Sequence, residues 1–217
     1  MSRSILLLLF LLPSTLCFGQ FKEYNETYLD TIVTQSGEMF IVHLVRIVSE
    51  SDDHQVQVQF FKSTLSGDRV AHFVVDKDPV RSCDPEVYDY NGDGYPDYSF
   101  VSMIAARGSN TVRTLLLFDP EKSTFIHIKN SEDYPNLTYN SVINCIDSWA
   151  FHGGTSQYFL HVKSDSLIPF YGIDVYGSER ISRKFENGEW IVIKTDSIEN
   201  TGFPRYLDYR TFDEYGY

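Results

Sequence analysis

The sequence is short of cysteine, of long apolar runs and of positive charge, and each shortage removes a class of function. Of three cysteines, Cys17 lies in a leader-like stretch, which leaves Cys83 and Cys145. Neither sits in a CxxC or beside a histidine with zinc-ligand spacing. The apolar run from Ile5 to Leu12 is far below the roughly 20 residues that span a bilayer, and no later stretch is longer. Eighteen Lys and Arg face thirty Asp and Glu, a formal net charge of −12. That balance argues against nucleic acid, whose phosphates demand a basic face. Also missing are an amphipathic helical pattern of three turns, a repeat of fixed period, a glycine-rich phosphate cradle and a dinucleotide fingerprint.

Catalytic patterns are scarce too. The six histidines are His43, His54, His72, His127, His152 and His161, and no two have HExxH spacing. His152-Gly153-Gly154 has the look of an oxyanion-hole loop, but no Gly-x-Ser-x-Gly elbow accompanies it. A glycoside hydrolase needs only two carboxylates about 5–10 Å apart, and nothing in the sequence singles out such a pair. The expectation is a protein without catalytic residues.

What is present begins with a leader. Arg3, the apolar run, Pro13 and the small residues up to Gly19 have the order of a secretory signal peptide, 1–19. The mature chain, 20–217, is then periplasmic or secreted. Acylation at Cys17 would make it a lipoprotein, but Leu16 is bulky where that motif takes a small residue. An oxidising compartment predicts one disulfide, Cys83–Cys145, provided their Cα atoms come within bridging distance.

The mature chain is rich in aromatics, with 16 Phe and 15 Tyr in the whole sequence. Short segments of Val, Ile, Phe, Tyr and Thr alternate with turn residues every eight to twelve positions. That rhythm predicts a single all-β domain, an antiparallel β-sandwich or barrel-like fold, with an irregular tail from about residue 200. Gln55 to Phe60 alternates cleanly, placing Val56, Val58 and Phe60 on one face and three glutamines on the other. Ile181–Phe185 and Trp190–Lys194 flank Asn187-Gly188, the strongest hairpin signal in the chain.

One stretch points to a ligand. Asp89-Tyr90-Asn91-Gly92-Asp93-Gly94-Tyr95-Pro96-Asp97 places side-chain oxygens on alternate positions, with a glycine after the third. A hard cation such as Ca²⁺ takes six to eight oxygens, and a short coiled loop supplies them. Asp89, Asn91, Asp93 and Asp97 would give side-chain oxygens and Tyr95 its backbone carbonyl. The twelfth position of a helical EF-hand would be Glu; here it is Phe100. The flanks read as strand, so the expectation is an EF-hand-like calcium loop between strands.

This loop is followed about twenty residues on by Leu116-Leu117-Phe118-Asp119-Pro120-Glu121-Lys122-Ser123-Thr124-Phe125. Loop and hairpin together resemble exported bacterial proteins with FG-GAP/VCBS-like calcium loops. Some of these are immunity proteins resembling invertebrate-type lysozyme inhibitors. The resemblance covers roughly residues 85–130 and implies a non-enzymatic inhibitor of a lysozyme-like peptidoglycan hydrolase. Lysozymes are typically basic, and an acidic inhibitor gains encounter rate from opposite charge. Two polar loops are candidates for entering a glycan cleft: Arg107-Gly108-Ser109-Asn110 and His152 to Tyr158. Alternative expectations are a cell-surface carbohydrate-binding or adhesion module and a glycoside hydrolase with an unrecognised carboxylate pair.

Overall fold

A computed structural model describes residues 23–48, 53–79, 81–199 and 202–214. The expected leader 1–19, with Cys17, lies outside them. The described residues form an all-β chain of sequential antiparallel meanders. β1 (Glu23–Val33), β2 (Met39–Val48), β3 (His54–Lys62) and β4 (Arg69–Asp76) make the first sheet. β5 (Glu86–Tyr88), β6 (Asp97–Ala105), β7 (Asn110–Asp119) and β8 (Thr124–Ile128) make the second. β9 (Thr138–Asn140), β10 (Cys145–Phe151), β11 (Thr155–Lys163), β12 (Ser166–Tyr176), β13 (Glu179–Glu186) and β14 (Glu189–Ser197) make the third. Among the described residues no sheet closes into a barrel.

Side-chain alternation explains how the sheets stack. Val56, Val58 and Phe60 of β3 are fully buried, as their spacing predicts, and meet Phe118 and Phe125 of the second sheet. Phe60 stacks on Phe125 with ring centroids 3.8 Å apart, and Phe40 meets Phe118 edge-on at 5.3 Å. Burying each such ring contributes about 2–3 kcal/mol. β7 carries an unbroken apolar run, Leu115-Leu116-Leu117-Phe118, so both of its faces must be covered. Leu116 and Phe118 face the first sheet, whereas Leu115 and Leu117 pack with Ile146, Leu160 and Leu167 of the third. The second sheet is therefore the middle layer, and the arrangement is three stacked sheets where two or a barrel were expected.

Two further expectations are corrected. The stretch after residue 200 is not wholly irregular: β15 (Tyr206–Asp208) pairs with β16 (Asp213–Glu214), and Tyr206 is buried under the third sheet with Phe159 and Ile173. The expected Cys83–Cys145 disulfide is absent, and both thiols are free and buried. Cys83 belongs to the layer between the first and second sheets, and Cys145 to the far side of the third. Sheets stack about 10 Å apart, so bridging distance, about 7 Å between Cα atoms at most, is out of reach. Burial pushes both thiols up to about 12, which leaves them unreactive.

Candidate metal centre and the loops at the opposite end

β6 has a different kind of loop at each end. Before it, the Asp89–Asp97 loop connects β5 to β6, between strands as the spacing predicts. Asp89 accepts the N–H of Gly92 at 2.7 Å on one oxygen and of Gly94 at 2.9 Å on the other. Asn91 Oδ1 accepts from the Asp93 N–H (3.1 Å), and Asp93 Oδ1 from the Tyr95 N–H (2.8 Å). These are the local side-chain-to-backbone bonds that Asp and Asn make in turns. Both glycines of the loop have left-handed backbones, φ +73° at Gly92 and +86° at Gly94, a conformation that glycine adopts without steric cost.

Asp97 differs from the other loop residues. It is fully buried, and its two oxygens accept from the Tyr90 N–H (2.8 Å) and the Phe118 N–H (2.9 Å). Burial, offset by those two bonds and reinforced by the charges of Asp93 and Asp89, pushes its carboxyl up to about 8. No Lys, Arg or His forms an ion pair with Asp89, Asp93 or Asp97 among the described residues. A carboxyl so placed stays largely protonated near neutral pH unless a cation neutralises it.

The donor chemistry thus suits a hard divalent ion, with Asp89, Asn91, Asp93, Asp97 and the Tyr95 carbonyl as the oxygens. The three carboxylates do not already converge, however. Among the described residues no group of three or more His, Cys, Asp or Glu is gathered as a metal site. The loop is also a junction between layers. A Cβ on Gly92 would lie 2.2 Å from the Tyr139 ring of β9, and one on Gly94 would lie 2.8 Å from the Gln35 amide of the β1–β2 turn. Thus the loop touches the first and third sheets while belonging to the second.

At the other end of β6, about 30 Å away at 3.3 Å per residue, lie the two polar loops singled out from the sequence. The structure brings them together. Asn110, at the base of the β6–β7 tip, donates to the Phe151 carbonyl (3.0 Å) and accepts from the Phe151 N–H (2.8 Å). One amide side chain thereby joins the β6–β7 tip to the β10–β11 turn. Asn136 adds a second link: its Nδ2 donates to Ser109 O (3.0 Å) and Trp149 O (2.7 Å), and its Oδ1 accepts from the Thr111 N–H (3.0 Å). From the sequence Asn110 was named only as the last residue of a candidate loop, not as a clamp, and Asn136 was not singled out. Pro135-Asn136 was a usable turn signal, since Asn tolerates the left-handed backbone it adopts here, φ 52°.

The β10–β11 turn presents His152, Gly153 and Gly154. His152 Nε2 is 2.7 Å from Ser156 Oγ, which donates to Asp174 at 2.6 Å, and Arg183 also donates to Asp174 at 2.7 Å. Because the Ser156 proton is committed to Asp174, His152 must donate, and the serine is not activated as a nucleophile. The exposed side chains of Tyr176 and Phe203 stand beside this turn, with His152 5.5 Å from Tyr176 and Phe151 5.4 Å from Phe203. This end is a rim of polar loops with aromatic flanks.

No protein-family model matches the chain, and no curated protein matches it. Among solved structures, one described as "Structure of a Xanthomonas Type IV Secretion System related protein" is similar, with a TM-score of 0.48 and 14% identity over 79% of this chain and 96% of that chain. A likeness at that level is too low to assign a fold or a function.

Proposed function

We propose that this chain is an exported, calcium-stabilised, non-enzymatic β protein that inhibits a lysozyme-like peptidoglycan hydrolase. The observation that carries the reading is the Asn110–Phe151 pair, which fixes two loops from different sheets side by side at one end of the molecule. A rigid two-loop rim suits insertion into a glycan cleft, because little ordering entropy remains to be lost on binding. The acidic chain favours encounter with a basic hydrolase. At the opposite end, Ca²⁺ held by Asp89, Asn91, Asp93, Asp97 and the Tyr95 carbonyl would neutralise a buried carboxylate and brace the three layers.

Two measurements test the reading separately. In a turbidity assay on a cell-wall suspension with calcium present, the protein slows clearing by at least one of a set of purified lysozymes that includes an invertebrate-type enzyme. Clearing at the uninhibited rate by every one of them removes the inhibitor reading. For the metal, saturating calcium at about 100 times its dissociation constant adds about 2.7 kcal/mol, which raises the melting temperature by about 5–10 °C in a chain of this length. An identical melting temperature in EDTA reduces the Asp89–Asp97 loop to a turn.

A further inference from the structure

A cleft opens between the middle and third layers at the β7–β8 turn. Leu117 of β7 stands opposite Ile126 of β8 in the strand register, so both side chains lie on the face that meets the third sheet. That face is covered as far as Leu160 and Leu167, which pack with Leu117 and Ile128. Past them the cover runs out: Val162 of β11 is 37% exposed, and Ser164 in the turn to β12 is exposed too. Leu117, Ile126, Ile128 and Val162 thus line a cleft of about 250 Å³. Pockets that enclose a small-molecule ligand run from roughly 300 to 1,000 Å³, so this one has room for a single large side chain. The mouth is formed by Asp119, Pro120 and Glu121 of the β7–β8 turn and by Asn91, and no Lys, Arg or His is among the described residues that line it. The lysines of the adjoining turns are committed, Lys122 to Asp119 (2.6 Å) and Lys129 to Asp165 (2.5 Å). Glu121 is exposed and has no ion-pair partner among the described residues.

We infer that this cleft docks a basic segment of another protein, with one aliphatic or aromatic side chain seated between the layers and a flanking Lys or Arg paired with Glu121. The inference stands apart from the inhibitor reading, whose loops lie at the other end of β6. Two observations carry it together. The walls are aliphatic and open to water, and an apolar group that enters removes that surface from water. The mouth holds an unpaired carboxylate on a chain of net charge −12, which draws in a cationic segment and repels an acidic one. The two contacts do different things. A side chain enclosed on several sides is the kind of anchor that supplies affinity. An ion pair at the mouth stays in water, so it selects the partner more than it holds it. Another copy of this acidic chain is disfavoured as the occupant for the same reason.

The test titrates isotope-labelled protein, with calcium throughout, with the peptides Ac-Arg-Phe-Arg-NH2, Ac-Arg-Ala-Arg-NH2 and Ac-Glu-Phe-Glu-NH2, followed by methyl NMR. The expected result is a saturable shift of the Leu117, Ile126 and Val162 methyl signals with the first peptide. Replacing its phenylalanine by alanine should weaken binding by about tenfold or more, as loss of a seated ring requires. Glu121→Lys, a substitution at an exposed turn position, should leave the melting temperature unchanged. It should weaken Ac-Arg-Phe-Arg-NH2 by about fivefold, the effect of one pair at the rim, and strengthen Ac-Glu-Phe-Glu-NH2. No shift of those methyl signals with Ac-Arg-Phe-Arg-NH2, or equal shifts with all three peptides, overturns the docking site. Equal affinity of wild type and Glu121→Lys for Ac-Arg-Phe-Arg-NH2 overturns the pairing with Glu121, and with it the basic class of partner.

Discussion

The two ends of β6 use the same turn-forming residues for opposite purposes. At the Asp97 end, the loop folds inward: its carboxylates accept backbone N–H groups, Asp97 is fully buried, and Gly92 and Gly94 lie against neighbouring layers. At the Arg107 end, the tip is exposed, and a Cβ on Gly108 or Gly153 would meet nothing within 4 Å. A loop that must join layers is packed on several sides and tolerates little change. The β6–β7 tip is braced only at its base, by Asn110 and Asn136. On the function proposed above, stability lies at one end of the molecule and recognition at the other.

The sharpest way to break that division is to delete the buried charge. Asp97→Ala leaves the Tyr90 and Phe118 N–H groups buried without partners, each costing about 1–3 kcal/mol. The expected destabilisation is about 3 kcal/mol or more in denaturant unfolding, whereas Arg107→Asn should stay within about 0.5 kcal/mol of wild type. Similar losses at the two ends would contradict the division.

Titration separates the ends by a smaller effect. Asp97 has a folded-state carboxyl raised to about 8, against an ordinary aspartate near 3.9 in the unfolded chain. Between those values the folded state binds more protons than the unfolded state, so Asp97 makes stability fall as pH rises. In EDTA the melting temperature should therefore drop by roughly 5 °C from pH 5 to pH 8, if about 2 kcal/mol is lost. Calcium, which favours the ionised carboxylate, should flatten the slope. Parallel pH profiles with and without calcium would mean that no cation sits in the loop.

Much of the molecule was legible where one residue type has one physical use. Val56, Val58 and Phe60 lie inward as their alternation required. Asn187 and Gly188 turn the β13–β14 hairpin with φ 53° and 87°, the left-handed pair that Asn-Gly favours. The bounds of the Asp89–Asp97 loop also followed from its spacing. Less legible was whatever depends on layers. The run Leu115–Phe118 already required two covered faces, yet only the stacked sheets show what covers them. Ser141 to Trp149 reads as one strand, but Asn140 Oδ1 accepts the Val142 and Ile143 N–H groups and turns the chain, so β10 begins at Cys145. The two cysteines looked like a pair because nothing in sequence records that sheets lie between them. The clamping roles of Asn110 and Asn136 went unread because a clamp between loops distant in sequence leaves no local pattern.

Two glycines offer the finest comparison. Gly92 and Gly153 both have positive φ, +73° and +100°, so alanine strains the backbone at either position by about 1–2 kcal/mol. Their surroundings differ. At Gly153 the new methyl group points into open space, so the backbone term is the whole cost. At Gly92 it lies 2.2 Å from the Tyr139 ring, which is anchored by its hydroxyl to Asn144 at 2.7 Å and is not free to swing aside. Gly92→Ala should therefore cost about 1 kcal/mol more than Gly153→Ala, the excess being overpacking. Because that excess comes from one ring, Tyr139→Ala should remove it: in a double-mutant cycle, Gly92→Ala should cost less in the Tyr139→Ala background than alone. Strict additivity would mean that the loop can move away from β9, and that it does not brace the middle layer against the third sheet.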